Sequence, residues 1–465
     1  MAFAGGIGTY EDPYLVSTAT HINDIRNHLS EHFKQINNID LSEYSNWIPI
    51  GYNGGVIRPF TGAYDGCNFK ITGLKMYQPP RTYEYNDVHL GLFSLVKTNH
   101  ELKNIHLENV QITGAISVGA LVTTIDKGHI INCSSSGEIT VEPGGGVGGL
   151  IGQISPSDSS VRITDCSSSV NIRIKYREYV GAGDFGGLIG AISTDPYLPN
   201  ATIDILRCYS TGDVTLDDTY GFFNYYTFIE NMGGLIGDVV ADRDYNTGNF
   251  TMINIRQCYS TGVVRGIERV GGLIGSCANA ILTDCYSTSN LDESPGWSKS
   301  VYGREYMFKY FGGFIGTSSN NIITNCYSCG KVANAPYGEY TQKEYHGFAG
   351  PSEYGEESNV TASYYDVEKA GRSDNLAILK TTIEMKEQNT YAGWDFDKIW
   401  GINTTVNNGY PYLLYSYEMP AYFSVYVTTD EGLKKAKKIC LITNESTKDI
   451  IKISIRTEVK QQSGN

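Results

Sequence analysis

Apolar residues along this chain come in short bursts that open on paired glycines. Phe-Gly-Gly-Leu-Ile-Gly at Phe185–Gly190 returns, with changes mainly in its first letter, as Val147–Gly152, Met232–Gly237, Val270–Gly275 and Phe311–Gly316. Between these bursts a second phrase recurs around a single cysteine: INCSSSG, TDCSSSV, LRCYSTG, RQCYSTG, TDCYSTS and TNCYSCG, centred on Cys133, Cys166, Cys208, Cys258, Cys285 and Cys326. The phrases alternate, and the shortest cycle, Cys258 to Cys285, is 27 residues. That length suits one unit of a repeat array. The segments are short and rich in Ile, Val, Thr and Tyr, with Gly, Asn or Asp at their ends. They carry no 3.6-residue stripe, so each unit reads as about three short strands. A single coil cannot bury its own apolar face, whereas stacked coils can. The pattern therefore predicts an all-β parallel β-helix, or solenoid, with equivalent strands about 4.8 Å apart. About ten coils are expected between Asp40 and Tyr365 on the basis of one repeat per coil.

Two consequences follow for the recurring letters. The paired glycines are expected at corners, where the absence of a Cβ permits unusual dihedrals. The six cysteines are expected as one inward column of small buried hydrophobes. Disulfides are the rival reading, but neighbours at one strand position have poor bridging geometry. Strand alternation then turns Tyr209, Tyr259, Tyr286 and Tyr327, each directly after a column cysteine, outward as a stacked ladder.

The same phrases resemble the GLUG-repeat family, named for its Gly-Leu-hydrophobic-Gly motif. Gly8–Gly51 looks like the family's opening segment, Pro59–Met76 like its first coil and Thr381–Leu413 like its closing segment. The resemblance implies a right-handed β-helix of the type found in bacterial surface adhesins and in phage tail proteins. It brings no catalytic signature.

On this reading residues 1–58 form an N-terminal capping segment, 59–370 the solenoid, 371–419 its C-terminal cap and 420–465 a small antiparallel β module. Ile22, Ile25, Leu29 and Phe33 fall on one face of an expected capping helix. Trp394, Phe396, Trp400, Tyr410 and Tyr412 are expected to cover the other end. Beyond Pro420, the stretches YFSVYVTT, KKICLIT and DIIKISIRTEV alternate as strands between turn signals.

Many cycles exceed the minimum length. The extra residues fall after the cysteine phrase and before the next glycine pair, so they are expected to emerge along one edge. They gather Tyr176, Tyr179, Tyr220, Phe222, Tyr225, Tyr226, Trp297, Tyr302, Tyr306, Tyr337, Tyr340 and Tyr345. Acids lie among them, including Glu178, Asp217, Asp218, Asp292 and Glu344. Tyrosine offers a rigid ring with a hydrogen-bonding tip, which suits a binding surface for sugars or for a protein partner.

Charge narrows the partners. The 465-residue chain has a formal net charge of −14 and 35 tyrosines. Such a field disfavours nucleic acid and anionic membrane surfaces, and no apolar run is long enough for membrane insertion. The first ten residues lack the basic and apolar regions of a secretory signal. That feature favours a protein made in the cytoplasm and assembled into a virion or phage-like tail over one placed at the bacterial cell surface.

Candidate chemistry is sparse. His-Leu-Ser-Glu-His at His28–His32 matches a zinc-protease pattern, but it falls on the expected capping helix, so no metal is expected. Asp395 and Asp397 lack the further oxygen ligands of a calcium site. No cofactor motif is present. The expected function is that of a non-enzymatic receptor-binding fibre that recognises a bacterial cell-surface carbohydrate. Other tail or baseplate proteins would be its assembly partners, and a homotrimer is one assembly such spikes adopt. The alternatives are a bacterial surface adhesin and a glycan-depolymerising tailspike, which would need a pair of carboxylates on the insertion edge.

Overall fold

A computed structural model describes residues 3–78, 89–114, 117–142, 144–157, 160–175, 183–194, 201–217, 230–241, 251–293, 309–333, 343–352 and 355–416, with 426–429, 432–435, 439–443 and 450–455 near the C-terminus. The chain winds as a parallel β-helix of three stacked sheets, of sixteen, fifteen and eight strands. One coil shows the path. Gly183–Gly186 lies in the eight-stranded sheet, Ile189–Ser193 and Thr202–Leu206 in the sixteen-stranded sheet, and Tyr209–Ser210 and Val214–Asp217 in the fifteen-stranded sheet. Glu230–Gly233 then begins the next coil, pairing parallel with Gly183–Gly186. From Ile39–Asp40 to Tyr364–Asp366 the fifteen-stranded sheet stacks ten rungs, and Ile378–Lys380 adds one more. The expected coil number and span hold.

The columns explain both phrases. Cys133, Cys166, Cys208, Cys258, Cys285 and Cys326 are all buried and free. Each thiol donates to the carbonyl two residues earlier, at 3.2–3.3 Å. Ser363 takes over the column in the next coil, and its hydroxyl makes the same bond to the Thr361 carbonyl. Burial pushes the thiols of Cys166, Cys208 and Cys285 well up. The residue before each cysteine makes the corner: Asn132, Asp165, Arg207, Gln257, Asp284 and Asn325 all have φ between 49° and 56°. Their side chains tie adjacent coils, as in the Arg207–Asp165 pair at 2.6 and 2.8 Å and the Asn132–Asn104 bond at 2.8 Å.

The paired glycines serve a different purpose from the one expected. None of Gly186, Gly187 and Gly237 has a positive φ. They are required by close approach. A Cβ on Gly186 would lie 1.9 Å from the Ile189 carbonyl oxygen, and one on Gly237 would lie 2.4 Å from the Phe185 nitrogen of the preceding coil. A Cβ on Gly187 would meet both the Gly234 carbonyl and the Ser210 hydroxyl at 2.2 Å. Ser210 is the third letter of the Cys-Tyr-Ser phrase, so the two phrases meet across the core. Related seams recur where Ser135, Ser260 and Ser328 donate to the carbonyls of Gly149, Gly272 and Gly347.

Both ends depart from expectation. The N-terminal helix covers only Ala19–Asp24, capped by Thr18, followed by a 3-10 turn at Ile25–Asn27. Phe33 lies instead on the strand His32–Gln35, which pairs with Tyr14–Val16 and Ala63–Asp65. Phe33 fits a period-two pattern starting at His32, and this overrides the apparent helical stripe. At the other end, the aromatic closing segment folds back over the outer face of the tyrosine ladder. Tyr209, Tyr259, Tyr286 and Tyr327 stack at 4.8, 4.8 and 5.1 Å with planes within 4°. Trp400 packs 6.1 Å from both Tyr286 and Tyr327 and 4.4 Å from Trp394, and its Nε1 donates to Asp284. Tyr410 stacks on Tyr327 at 6.4 Å. Tyr209 and Tyr259 stay half-buried, whereas Tyr286 and Tyr327 are buried beneath this cover. Among the described C-terminal residues, Tyr426–Thr429 pairs antiparallel with Gly432–Lys435, and Ile439–Thr443 with Ile450–Ile455. They form a compact unit of their own, starting at Leu413.

Candidate functional site

The tyrosine-rich excursions share a root. Each leaves the fifteen-stranded sheet and returns in the eight-stranded sheet. The strands on either side are in register: Asp217 pairs with Lys175 before two excursions, and Glu230 with Gly183 after them. Glu293 likewise pairs with Gly266, and Lys309 with Lys343. The roots thus stack at one corner of the coil. A second line of extra length, between the two strands that each coil gives the sixteen-stranded sheet, was not anticipated; its segments lie between Thr194 and Ala201 and between Ala241 and Thr251.

Of the expected contact residues, Tyr176, Tyr179, Tyr220, Phe222, Tyr225, Tyr226, Trp297, Tyr302, Tyr306, Tyr337 and Tyr340 lie outside the described residues. Tyr345 is on the strand Lys343–His346, in register with Phe311, Val270, Met232 and Phe185. Its ring stacks on Phe311 at 5.0 Å, with the Arg372 guanidinium 5.4 Å from its centroid. It therefore ends a core column rather than standing in a loop. Reading the apolar column one coil further would have found it.

Beside the roots lies a polar cluster that sequence reasoning missed. Asp184, Asn231, Arg269, Tyr310 and Glu344 occupy one register column of the eight-stranded sheet. Asn231 Nδ2 donates to Asp184 Oδ1 at 2.7 Å, and Arg269 donates to Asn231 Oδ1 at 3.3 Å. Asp238, on Ile236–Val240, comes from the neighbouring sheet, and its Oδ1 is buried without a hydrogen-bond partner among the described residues. Burial, then the charge of Asp184, pushes the Asp238 carboxyl up to about 7, against hydrogen bonding from Ser276 and the charge of Arg269. Burial pushes Asp184 up to about 6, with Asn231 and Arg269 opposing. One signal was available: the position after the third glycine reads Gln153, Ala191, Asp238, Ser276 and Thr317, so a lone acid interrupts a neutral column.

Such a pair holds protons in the folded chain at pH values where the unfolded chain has released them. Its contribution is fully present below the free carboxylate range near 4 and is lost as pH rises through about 6 and about 7. Asp238→Asn is therefore expected to flatten the stability profile by on the order of 2 kcal/mol between pH 5 and pH 8. Urea unfolding across that range measures it, and an unchanged slope would show that the acids ionise normally.

The remaining candidates do not assemble. His28 and His32 share no helical face. His28 pairs with Glu31 at 2.5 Å, and His32 starts a strand with its ring 4.5 Å from that of His100. Asp395 accepts the Asp397 and Lys398 amides in a local turn. Among the described residues no group of three or more His, Cys, Asp or Glu is placed to hold a metal. Asp292 pairs with Arg265 at 3.7 Å, and Glu344 with His346 at 3.5 Å.

No family model matches the chain. It is 30% identical, over an alignment of 490 positions and 86% of its length, to a protein of Evansella cellulosilytica assigned as a Gly-rich membrane protein, 45% of which is covered. It is 29% identical over 162 positions to halomucin of Haloquadratum walsbyi, an alignment covering 32% of this chain and 2% of halomucin. The chain thus spans less than half the length of either relative. A solved structure from Bacteroides ovatus, assigned as an immunoglobulin A1 protease, superposes over 88% of this chain and 95% of its own, with 17% identity and a TM-score of 0.46. Likeness at that level speaks to no activity. Among the described residues no helix is long and apolar enough to cross a membrane.

Proposed function

We propose that this chain is a non-enzymatic adhesin displayed on a prokaryotic cell surface, with a glycan recognised by the tyrosine-rich excursions. The observation that carries the reading is the in-register stacking of the excursion roots at one corner, which presents successive coils to one extended ligand. The resemblance to GLUG-repeat proteins supports it. The names of the two relatives, one a membrane protein of a bacterium and one a halomucin, favour a cell surface over a phage tail. Weak single contacts would act together through multiple copies.

The test is binding of the purified chain to envelope polysaccharides and whole cells, beside a Tyr225→Ala, Tyr226→Ala variant. Loss of two stacking rings is expected to weaken binding about tenfold or more. Equal binding by the variant would assign the excursions to subunit contacts instead. The Asp184–Asp238 pair favours one second reading, a glycan-cleaving enzyme, because a carboxyl protonated near neutrality can serve as a general acid. New reducing ends produced by wild type, and abolished in Asp238→Asn, would establish that reading.

A further inference from the structure

A second candidate site lies away from the excursion corner, where the closing segment crosses the outer face of the tyrosine ladder. There a cleft of about 580 Å³ opens between the coils and the segment that covers them. Its volume lies within the range of small-molecule sites, about 300–1,000 Å³. One wall is built by the letter after Cys-Tyr-Ser in three successive phrases, Thr261, Thr288 and Cys329, together with Asn290. Asn290 Oδ1 already accepts from the Lys331 amide at 3.0 Å, so its side-chain NH2 is the group left to donate to a ligand. The opposite wall brings Lys369 and Lys386, with Asn408 and Tyr410.

The electrostatics of this cleft oppose those of the whole molecule. The chain is strongly acidic, yet two lysines and no acidic residue line the cleft. Lys386 Nζ lies 5.0 Å from the Tyr410 ring centroid, so the ring faces a cation rather than an anion. Asp366, which holds the hydroxyl of the lining Tyr410, is fully buried and committed. Its Oδ1 accepts from the Lys369 amide at 2.9 Å and from Thr382 at 3.0 Å, and its Oδ2 accepts from the Tyr410 hydroxyl. That network fixes Tyr410 and the Lys369 backbone through the amide and the hydroxyl, not through either lysine side chain. Apart from the Cys329 thiol the remaining lining is hydroxyl and amide, which suits a polyhydroxylated ligand better than an apolar one.

We infer that this cleft binds a carboxylated sugar, a uronic or sialic acid unit, with its carboxylate between Lys369 and Lys386 and its hydroxyls on Thr261, Thr288 and Asn290. The inference does not rest on the proposed role of the tyrosine-rich corner.

The full chain is titrated by calorimetry with glucuronate and N-acetylneuraminate, with glucose as the neutral counterpart and inorganic phosphate as the bare anion. Saturable binding of an acidic sugar is expected, at least about tenfold tighter than glucose or phosphate. It should be lost in Lys369→Ala, Lys386→Ala and retained in Lys386→Arg. Both lysines are exposed, and an unchanged melting temperature confirms that the double variant is folded. No acidic-sugar binding, binding that survives in the double variant, or phosphate bound as tightly as the sugar would each overturn the assignment. Binding lost in the double variant but kept in Tyr225→Ala, Tyr226→Ala separates this cleft from the corner.

Discussion

Gly237→Ala is expected to destabilise the central coils by about 3 kcal/mol or more, a large fraction of the roughly 5–15 kcal/mol by which folded chains are stable. An added Cβ would lie 2.4 Å from the Phe185 nitrogen and 2.5 Å from the Gly190 carbonyl oxygen. Both atoms are backbone of the preceding coil, so no side chain can swing aside to relieve the clash. Relief requires the coils to separate, which breaks ladder bonds on either side, such as those of Ile236 to Leu273 and of Ile189 to Leu235. Gly393→Ala is the matched control. Gly393 has φ +86° and nothing within 4 Å of a new Cβ, so only the left-handed penalty of about 1–2 kcal/mol applies. Urea unfolding of the two variants compares them directly. Similar losses would mean that dihedral preference, not close approach, selects glycine in the repeated phrase.

Trp400→Ala is expected to cost about 3–5 kcal/mol, the usual range for truncating a buried tryptophan, and to release the closing segment first. Trp400 is fully buried and touches two rungs of the tyrosine ladder and Trp394. Its Nε1 also supplies a hydrogen bond to Asp284, whose carboxyl burial already pushes up. Removing the indole leaves a cavity and withdraws a donor from a buried acid. The coils beneath retain their own ladder bonds, so the damage should be local at first. Limited proteolysis is expected to cut within residues 381–412 in the variant while the fragment up to Tyr365 resists. Simultaneous digestion of both parts would show that the segment and the coils unfold as one unit.

Much of the architecture was legible because a solenoid writes its columns into the sequence. Cys208, Cys258 and Cys285 recur at one letter of one phrase, and the structure stacks them in one column. The tyrosines beside them had to face the other way by strand alternation, and they do. What was misread depended on partners distant in the chain. Whether Gly186 is chosen for its dihedral or for its lack of a Cβ depends on which backbone approaches it. Trp400 reads as an end cap until its contact with Asp284, over a hundred residues earlier, is known. Phe33 fell on a plausible helical stripe because Ile22 lies on a short helix and Ile25 on the 3-10 turn that follows it, and the chain changes to a strand only between Ile25 and Phe33. The Asp184–Asp238 pair was hidden for a similar reason: its members come from different sheets and different coils, so no local pattern joins them. The tyrosine-rich excursions were located by their roots, which the repeat determines, whereas Tyr345 belonged to the repeat itself.

The seam between the Cys-Tyr-Ser hydroxyl and the glycine carbonyl reaches only to an adjacent winding. Any winding can therefore dock on any other of the same pattern, and the rod can lengthen or shorten in whole turns of about 27 residues without redesign of what remains. The stretch clasped by Trp400 and its companions is the exception. A turn added or deleted there would pull Asp284 out of reach, so variation in rod length belongs upstream of it.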